Sequence, residues 1–240
     1  MNINNHIKKD NIIRYYKGDE INKYMNEEYH TERVNLAIAI LNNEFSEENR
    51  PKTKVLDVAS GNGLISKKLK NLGYRVICSD LTVEQLEQIS FDEIEVVKLD
   101  VSEKFDFGNE SFDAIIAGDI IEHLYDIELF FTECNRILKK GGYLVVTTPN
   151  LAALQDRILF LFGVSPKQIQ PCHTYYKLHI RPFTLKLLRK TYESFGFKII
   201  SQKSNYVTWK HNNKHIIYSK LLANFFPSIG RSLIVCGKKI

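Results

Sequence analysis

The sequence predicts an α/β fold with a doubly wound, parallel sheet, and three observations predict it. Short β-branched and apolar runs alternate with amphipathic, helix-like runs from Lys54 to Cys236. The first of these strands, Lys54–Val58, is followed by a turn of small residues, Ala59-Ser60-Gly61-Asn62-Gly63, and then by a helical run, Leu64–Leu72. Three successive strands end beside a carboxylate: Asp57, Asp80 and Asp100. In an open parallel sheet that carboxyl edge is where ligands bind.

Residues 1–20 read as polar and irregular, with Tyr15 and Tyr16 available to fold over a ligand. Tyr24–Phe45 places Val34, Ile38, Leu41 and Phe45 on one helical face. A polar break, Ser46–Thr53, separates this helix from the first strand. Gly73 closes the next helix, because glycine takes the left-handed conformation that ends helices at little cost. The second strand is Arg75–Ser79, followed by a helix Val83–Ile89 with Asp80 or Thr82 as its cap, and then the strand Ile94–Lys98. Ser111–Ala117 is apolar throughout, as a central parallel strand should be. After Gly118–Leu124 a helix runs from Asp126 to Leu138; Lys139 and Lys140 sit in its last turn, with Gly141-Gly142 beyond. Tyr143–Thr148 is the fifth strand, closed by Pro149-Asn150.

Leu151–Phe162 is an amphipathic to wholly apolar helix, and Gly163–Tyr176 is a proline-containing loop. The apolar run Ile158–Phe162 would suit a membrane surface, but it carries no strongly basic face of its own. His179–Thr184 leads into a helix, Leu185–Phe195, which Gly196 closes. Phe197–Ser201 and Ser232–Cys236 are the last two strands; residues 202–230, with Trp209 and further aromatics among Lys, Asn and His, stay undivided.

Composition narrows the class. A chain of 240 residues, 44% hydrophobic and 25% charged, suits one large globular domain. A net charge of +5 permits an anionic partner without demanding one. Cys78, Cys134, Cys172 and Cys236 form no CxxC pair, and Cys78 and Cys236 fall inside strands, which suits buried thiols in a reducing compartment. No apolar run approaches the roughly 18 residues of a membrane span, and residues 1–10 lack an apolar signal core. The expectation is a cytoplasmic protein without stable membrane insertion; nothing in the sequence sets its oligomeric state.

Asp57-x-x-x-Gly61-x-Gly63 resembles the first motif of the class I S-adenosylmethionine (SAM) methyltransferases, with Ala59 where the motif usually has its first glycine. The run from Phe112 to Asn150 resembles the members of that family carrying FDxIxxxxxxEHL and L+xGGxLxxxTPN, so the likeness spans residues 54–150. It implies a Rossmann-like, doubly wound, seven-stranded and mostly parallel sheet with helices on both faces. It implies one methyltransferase domain over 1–240: a helical cap at 1–50, a SAM-binding core at 54–150, a substrate lid at 151–182 and the rest of the sheet at 183–240. For that lid a second reading stays open, a helix that merely fills space beside the sheet. The resemblance assigns Asp57 to the cofactor's methionine end, Asp80 to the ribose hydroxyls, and Leu81, Asp100 and Val101 to the adenine, with Ser60, Gly61, Gly63 and Gly118 as further cofactor-binding residues. Tyr29, His30 and Arg33, on the leading helix, become candidate cofactor or substrate contacts.

Methyl transfer to a hydroxyl needs alignment, exclusion of water and a route for a proton. His123 and His179 are the candidate catalytic residues. Asp119-x-x-Glu122-His123 puts two acids and an imidazole at one-turn spacing, and resembles the ExxEH cluster of metal-dependent O-methyltransferases, which include ubiquinone-pathway enzymes and small-RNA ribose 2′-O-methyltransferases. By that likeness Asp119, Glu122, His123 and His179 are candidate ligands for Mg²⁺ or Mn²⁺, with aspartate where the first glutamate is usual. The metal-free alternative has Glu122 and His123 supporting the helix. The expected reaction is O-methylation of a small-molecule or glycan hydroxyl. Two other readings are an RNA ribose 2′-O-methyltransferase, using Tyr175, Tyr176, Lys177, Arg181, Trp209 and Lys210, and a catalytically idle SAM-binding subunit.

Overall fold

The computed structural model describes residues 28–82, 94–172, 179–211 and 214–240. The expected helix Val83–Ile89, and the tyrosines at 15, 16, 24, 175 and 176, lie outside these residues.

The described elements are α1 (Glu28–Glu44), β1 (Lys54–Val58), α2 (Leu64–Asn71), β2 (Arg75–Asp80), β3 (Glu95–Lys98), β4 (Phe112–Gly118), α3 (Ile127–Ile137) and β5 (Leu138–Pro149). There follow α4 (Leu154–Leu161), α5 (Leu185–Ser194), β6 (Phe197–Ser204), β7 (Val207–His211), β8 (Lys214–Ser219), α6 (Lys220–Phe225) and β9 (Ser232–Lys239). Seven strands form one sheet in the order β3-β2-β1-β4-β5-β9-β6. The first five run parallel, and β9 is antiparallel to both β5 and β6. The order reverses at β1/β4, which sets the loops after β1 and β4 side by side at the carboxyl edge, where an α/β sheet opens a crevice.

The alternation of side chains along each strand builds two cores. Leu56, Val58, Ile115, Ala117, Leu144, Val146, Leu233 and Val235 face one way and pack with Phe130 and Phe131 of α3 and Leu188 and Tyr192 of α5. Val55, Ala114, Ile116, Val145, Ile234 and Cys236 face the other way, against Val34, Ala37, Ile38 and Leu41 of α1 and Ile65 and Leu69 of α2. Helices therefore cover both faces, as the sequence predicts. Gly237 is required where it stands: a Cβ there would lie 2.4 Å from the ring of Tyr192.

Three boundaries differ from expectation. Helix α3 ends at Ile137, and residues 138–142 extend β5, because Leu138 pairs with Phe112 across the sheet. Lys139 consequently sits on a strand and pairs with Asp113 at 2.7 Å, not in a helical turn. Leu151–Ala153 precede α4, since Ala152 N–H bonds back to Asn150 Oδ1 (3.0 Å). The undivided stretch 202–230 contains a two-stranded hairpin, β7–β8, and α6. Tyr206 and Tyr218 from this region pack beside Tyr29, and Tyr218 bonds Glu28, so the hairpin clasps the start of α1.

Candidate functional site

The turn after β1 takes left-handed backbone at alternate residues: Ala59 (φ 54°), Gly61 (55°) and Gly63 (71°). Glycine accepts this freely, whereas an L-residue with a Cβ loses roughly 1–2 kcal/mol. Ala59 therefore takes up this turn at an energetic cost. A Cβ on Gly61 would meet nothing within 4 Å, so the backbone there faces open space. Asp80 organises the turn: its Oδ2 accepts from Gly61 N–H (2.9 Å), while Oδ1 accepts from Thr82 N–H and Oγ1 (3.3 and 3.4 Å). Ser60 is tied to β2, its N–H and Oγ reaching Ser79 O at 2.9 and 3.1 Å. Asp100 Oδ1 accepts from Ser102 N–H and Oγ at 3.0 and 2.6 Å, closing the turn that carries Val101. Leu81 and Val101 are half-buried.

Asp57 is fully buried, and Ser66 Oγ donates to its Oδ2 at 2.6 Å; Oδ1 has no hydrogen-bond partner. Burial pushes its carboxyl up to about 7, against the Ser66 hydrogen bonds and with help from the Asp80 charge. An acid whose folded pKa lies above its unfolded one costs stability as it ionises. The protein is expected to lose stability as pH rises from about 4 to about 7, then to level off. Urea melts compared with those of Asp57→Asn check this; equal slopes for the two proteins would refute it. A cation placed against Oδ1 would reverse the cost.

A second cluster forms after β4. Asp119 has φ 49°, an unusual conformation for a residue with a side chain, and it is held from three directions. Its N–H bonds Thr147 O (3.0 Å), Thr147 Oγ1 donates to its Oδ1 (2.9 Å), and Arg33 Nη1 pairs with Oδ1 (2.9 Å). Arg33 also donates to Thr147 Oγ1 (2.5 Å) and, through Nη2, to His30 Nδ1 (3.3 Å). Burial and the adjacent guanidinium push His30 down to about 4, so it is neutral at pH 7. Gly118 lets this happen, because its missing Cβ would lie 3.3 Å from Arg33 Nη1.

Ile121–His123 then form one 3₁₀ turn that buries Glu122 and His123. Thr148 Oγ1 donates to Glu122 Oε2 (2.9 Å), and Glu122 Oε1 has no hydrogen-bond partner. Burial, with the Asp119 charge, drives the Glu122 carboxyl well above the usual range. Residues 180 and 181 donate their N–H groups to Glu122 O at 2.9 and 3.0 Å. Arg181 reaches Tyr125 O at 2.9 Å and lies over the Tyr125 ring. These bonds bring His179 to His123, with ring centroids 4.9 Å apart and edge-to-face. One ligand atom each from Glu122, His123 and His179 lies within 4.8 Å of the others. A carboxylate with two imidazoles and an orphaned oxygen is a donor set suited to a divalent cation.

Of the expected ligands, Asp119 lies apart: Arg33 and Thr147 engage its carboxylate, and the three-residue cluster comprises Glu122, His123 and His179. The Thr-Pro-Asn run has a physical reason. Adjacent strand residues point to opposite faces, so Thr147 serves Asp119 and Thr148 serves Glu122. Asn150 Nδ2 donates to Ser228 O and Gly230 O at 3.0 and 2.8 Å, which fixes where the chain leaves the sheet. Of the residues proposed to touch RNA, Arg181 is committed to Tyr125 and Lys210 bonds Gln155 through its backbone. Phe162, at the end of the apolar run, is exposed.

Residues 56–146 match a family model described as a methyltransferase domain. The human mitochondrial ubiquinone biosynthesis O-methyltransferase is 34% identical over 144 residues, 55% of this chain and 39% of that protein. The ubiquinone biosynthesis O-methyltransferase of Chelativorans sp. is 30% identical over 140 residues, 55% of each. The chain thus spans about half, or less, of the length of the curated relatives it matches. Among solved structures, a SAM-dependent methyltransferase of Thermotoga maritima superposes with a TM-score of 0.60 at 18% identity, covering 98% of this chain and 99% of that one. A SAM-dependent methyltransferase of Archaeoglobus fulgidus gives 0.56 at 19% identity, over 84% and 99%. At these identities the structures establish the fold: the Rossmann-like α/β sheet of the SAM-dependent methyltransferases.

Proposed function

We propose that this chain, whose residues 56–146 carry a methyltransferase domain, is a SAM-dependent methyltransferase that acts on a small-molecule hydroxyl. The observation that carries the reading is the cluster of Glu122, His123 and His179 at the same sheet edge as the glycine turn and its three acids. The relatives' printed activity, an O-methyltransferase, supports oxygen as the acceptor atom.

The cofactor fits the residues present: an open glycine backbone, a buried acid with a bare oxygen and a carboxylate at the next strand end. SAM supplies an electrophilic methyl group on a cationic sulfonium. Asp57 Oδ1 is placed to meet its positive methionine end, and ionises when it does. Asp80, at the end of the next strand and bonded to the glycine turn, is the residue assigned to the ribose hydroxyls. Gly61, Ser60, Gly63 and Gly118 let backbone approach the ligand, and Leu81, Asp100 and Val101 line the adenine end. On the acceptor side, an imidazole of His123 or His179 accepts the proton that the hydroxyl gives up.

Glu122, His123 and His179 would also hold a divalent cation, whose charge would lower the acceptor's pKa; two imidazoles favour Mn²⁺ over Mg²⁺. The segment 151–182 serves as the acceptor's lid, since it begins at the Asn150 anchor and ends where His179 meets His123. A sugar or other small alcohol fits this better than RNA, since Arg181, one of the proposed RNA contacts, is bonded to Tyr125.

The test is calorimetry with S-adenosylhomocysteine. Asp80→Ala should weaken binding by about 1.5–3 kcal/mol for each charge-assisted bond lost, and wild-type affinity in a folded Asp80→Ala protein would overturn the ribose assignment.

A further inference from the structure

The two histidines of the cluster lie on stretches of chain that are laced together. The N–H groups of residues 180 and 181 bond Glu122 O at 2.9 and 3.0 Å, which sets His179 against His123. Two residues beyond these histidines stand Arg181 and Tyr125, and they face each other as well. Arg181 Nη2 donates to Tyr125 O at 2.9 Å, and the guanidinium carbon lies 5.4 Å from the centroid of the Tyr125 ring. The second pair continues the first towards solvent. His123 is buried and His179 half-buried, whereas Arg181 is exposed and Tyr125 is 60% exposed.

The lacing does not depend on the Arg181 side chain, because backbone N–H groups already make it. The bond to Tyr125 O engages one nitrogen of the guanidinium; Nε and Nη1 bond no described residue. No described carboxylate pairs with it either. Asp119 is held by Arg33, Asp126 caps α3 through Leu129 N–H (2.9 Å), and Glu122 is buried and bonded to Thr148.

A carbonyl and an aromatic ring therefore hold a planar cation at the outer end of the acceptor site, with donors to spare. Little freedom is lost when such a preorganised fork takes a ligand. Its best ligands are oxyanions, since a carboxylate or phosphate accepts two parallel charge-assisted bonds from a guanidinium. A neutral alcohol offers only the weaker, uncharged kind.

We infer that Arg181, propped on Tyr125, selects an acceptor that carries an oxyanion, a carboxylate or a phosphate, beside the hydroxyl to be methylated. The inference rests on the methyltransferase reading and narrows its acceptor from a small alcohol to an acidic one.

Calorimetry on the protein saturated with S-adenosylhomocysteine tests it, with three probes built on one ring: glucose, glucuronate and glucose 6-phosphate. Glucuronate or glucose 6-phosphate should bind about tenfold or more tighter than glucose, and the tighter of the two identifies the group. Arg181→Gln should erase that preference, and Arg181→Lys, which keeps the charge without the fork, should restore part of it. Tyr125→Leu should weaken binding of the acid about threefold. A merely structural Arg181 would weaken all three probes together and leave their ratio unchanged. Equal affinity for the three, no binding of either acid, or a preference that survives Arg181→Gln overturns the inference. Sub-micromolar binding of a short single-stranded RNA that Arg181→Gln abolishes would assign the guanidinium to a phosphate backbone and overturn it too. The cofactor titration made first keeps the two failures apart. No binding of S-adenosylhomocysteine sinks the methyltransferase reading, whereas cofactor binding without an acid preference sinks the acidic acceptor alone.

Discussion

Alanine at His123 or at His179 is expected to lower turnover by about 10²–10⁴-fold while S-adenosylhomocysteine binds with near wild-type affinity. Both rings stand beside the buried Glu122 carboxyl and neither belongs to the residues assigned to the cofactor, so their loss should spare the cofactor half of the site. Chelation separates their two roles. If the cluster holds a cation, exhaustive EDTA treatment abolishes turnover and Mn²⁺ restores it, and each alanine variant needs more Mn²⁺ for half-maximal rate. If an imidazole alone takes the acceptor proton, EDTA changes nothing and the variants lose the rise of rate with pH expected of a general base. Wild-type turnover in both variants would remove these histidines from the chemistry.

Arg33→Met should destabilise the fold by about 3–5 kcal/mol, the usual consequence of leaving a buried partner charge unpaired. Arg33 is nearly inaccessible, and its Nη1 serves Asp119 and Thr147 together. Its removal leaves Asp119 facing the buried Glu122 with no balancing cation, and frees a residue held at φ 49°. The double variant Arg33→Met/Asp119→Asn should recover part of the loss, because the two changes share one interaction. Chemical denaturation of the four proteins measures the coupling; additive losses would show that the pair does not act as a unit. The cofactor half should also suffer, since Gly118 touches the same guanidinium.

The strands and the glycine turn were legible in the sequence because they rest on local rules. Short apolar and β-branched runs mark β1, β2, β4 and the latter half of β5, and the small residues at 59–63 announce the left-handed turn. His179 could be matched with His123 only through a family likeness, since the bonds from residues 180 and 181 to Glu122 O join segments nearly sixty residues apart. Arg33 was visible as a charged residue on an amphipathic helix, a pattern that ordinarily marks a solvated face. Its buried role depends on Asp119 and Thr147, which adjoin it only in the folded sheet. Asp119 shows the same limit: spacing shows that it can approach Glu122, and only packing shows that Arg33 and Thr147 hold its carboxylate. The hairpin β7–β8 escaped because its register shifts between Trp209 and Lys210, which breaks the two-residue period. Leu138–Gly142 escaped because the first pairing of β5 is with Phe112, a non-local contact.

The place of β9 between β5 and β6 has a consequence for biosynthesis. Strand β6 pairs with no other strand, and the open edge of β5 has no other neighbour among the described residues. At ribosomal speeds of roughly 5–20 residues per second, the ribosome needs several seconds to pass from Pro149 to Lys239. Through that interval β5, and then β6 once it is made, shows an unsatisfied edge, the kind of surface that recruits other strands. Only when residues 232–239 clear the exit tunnel does the chain hold the strand that pairs with both.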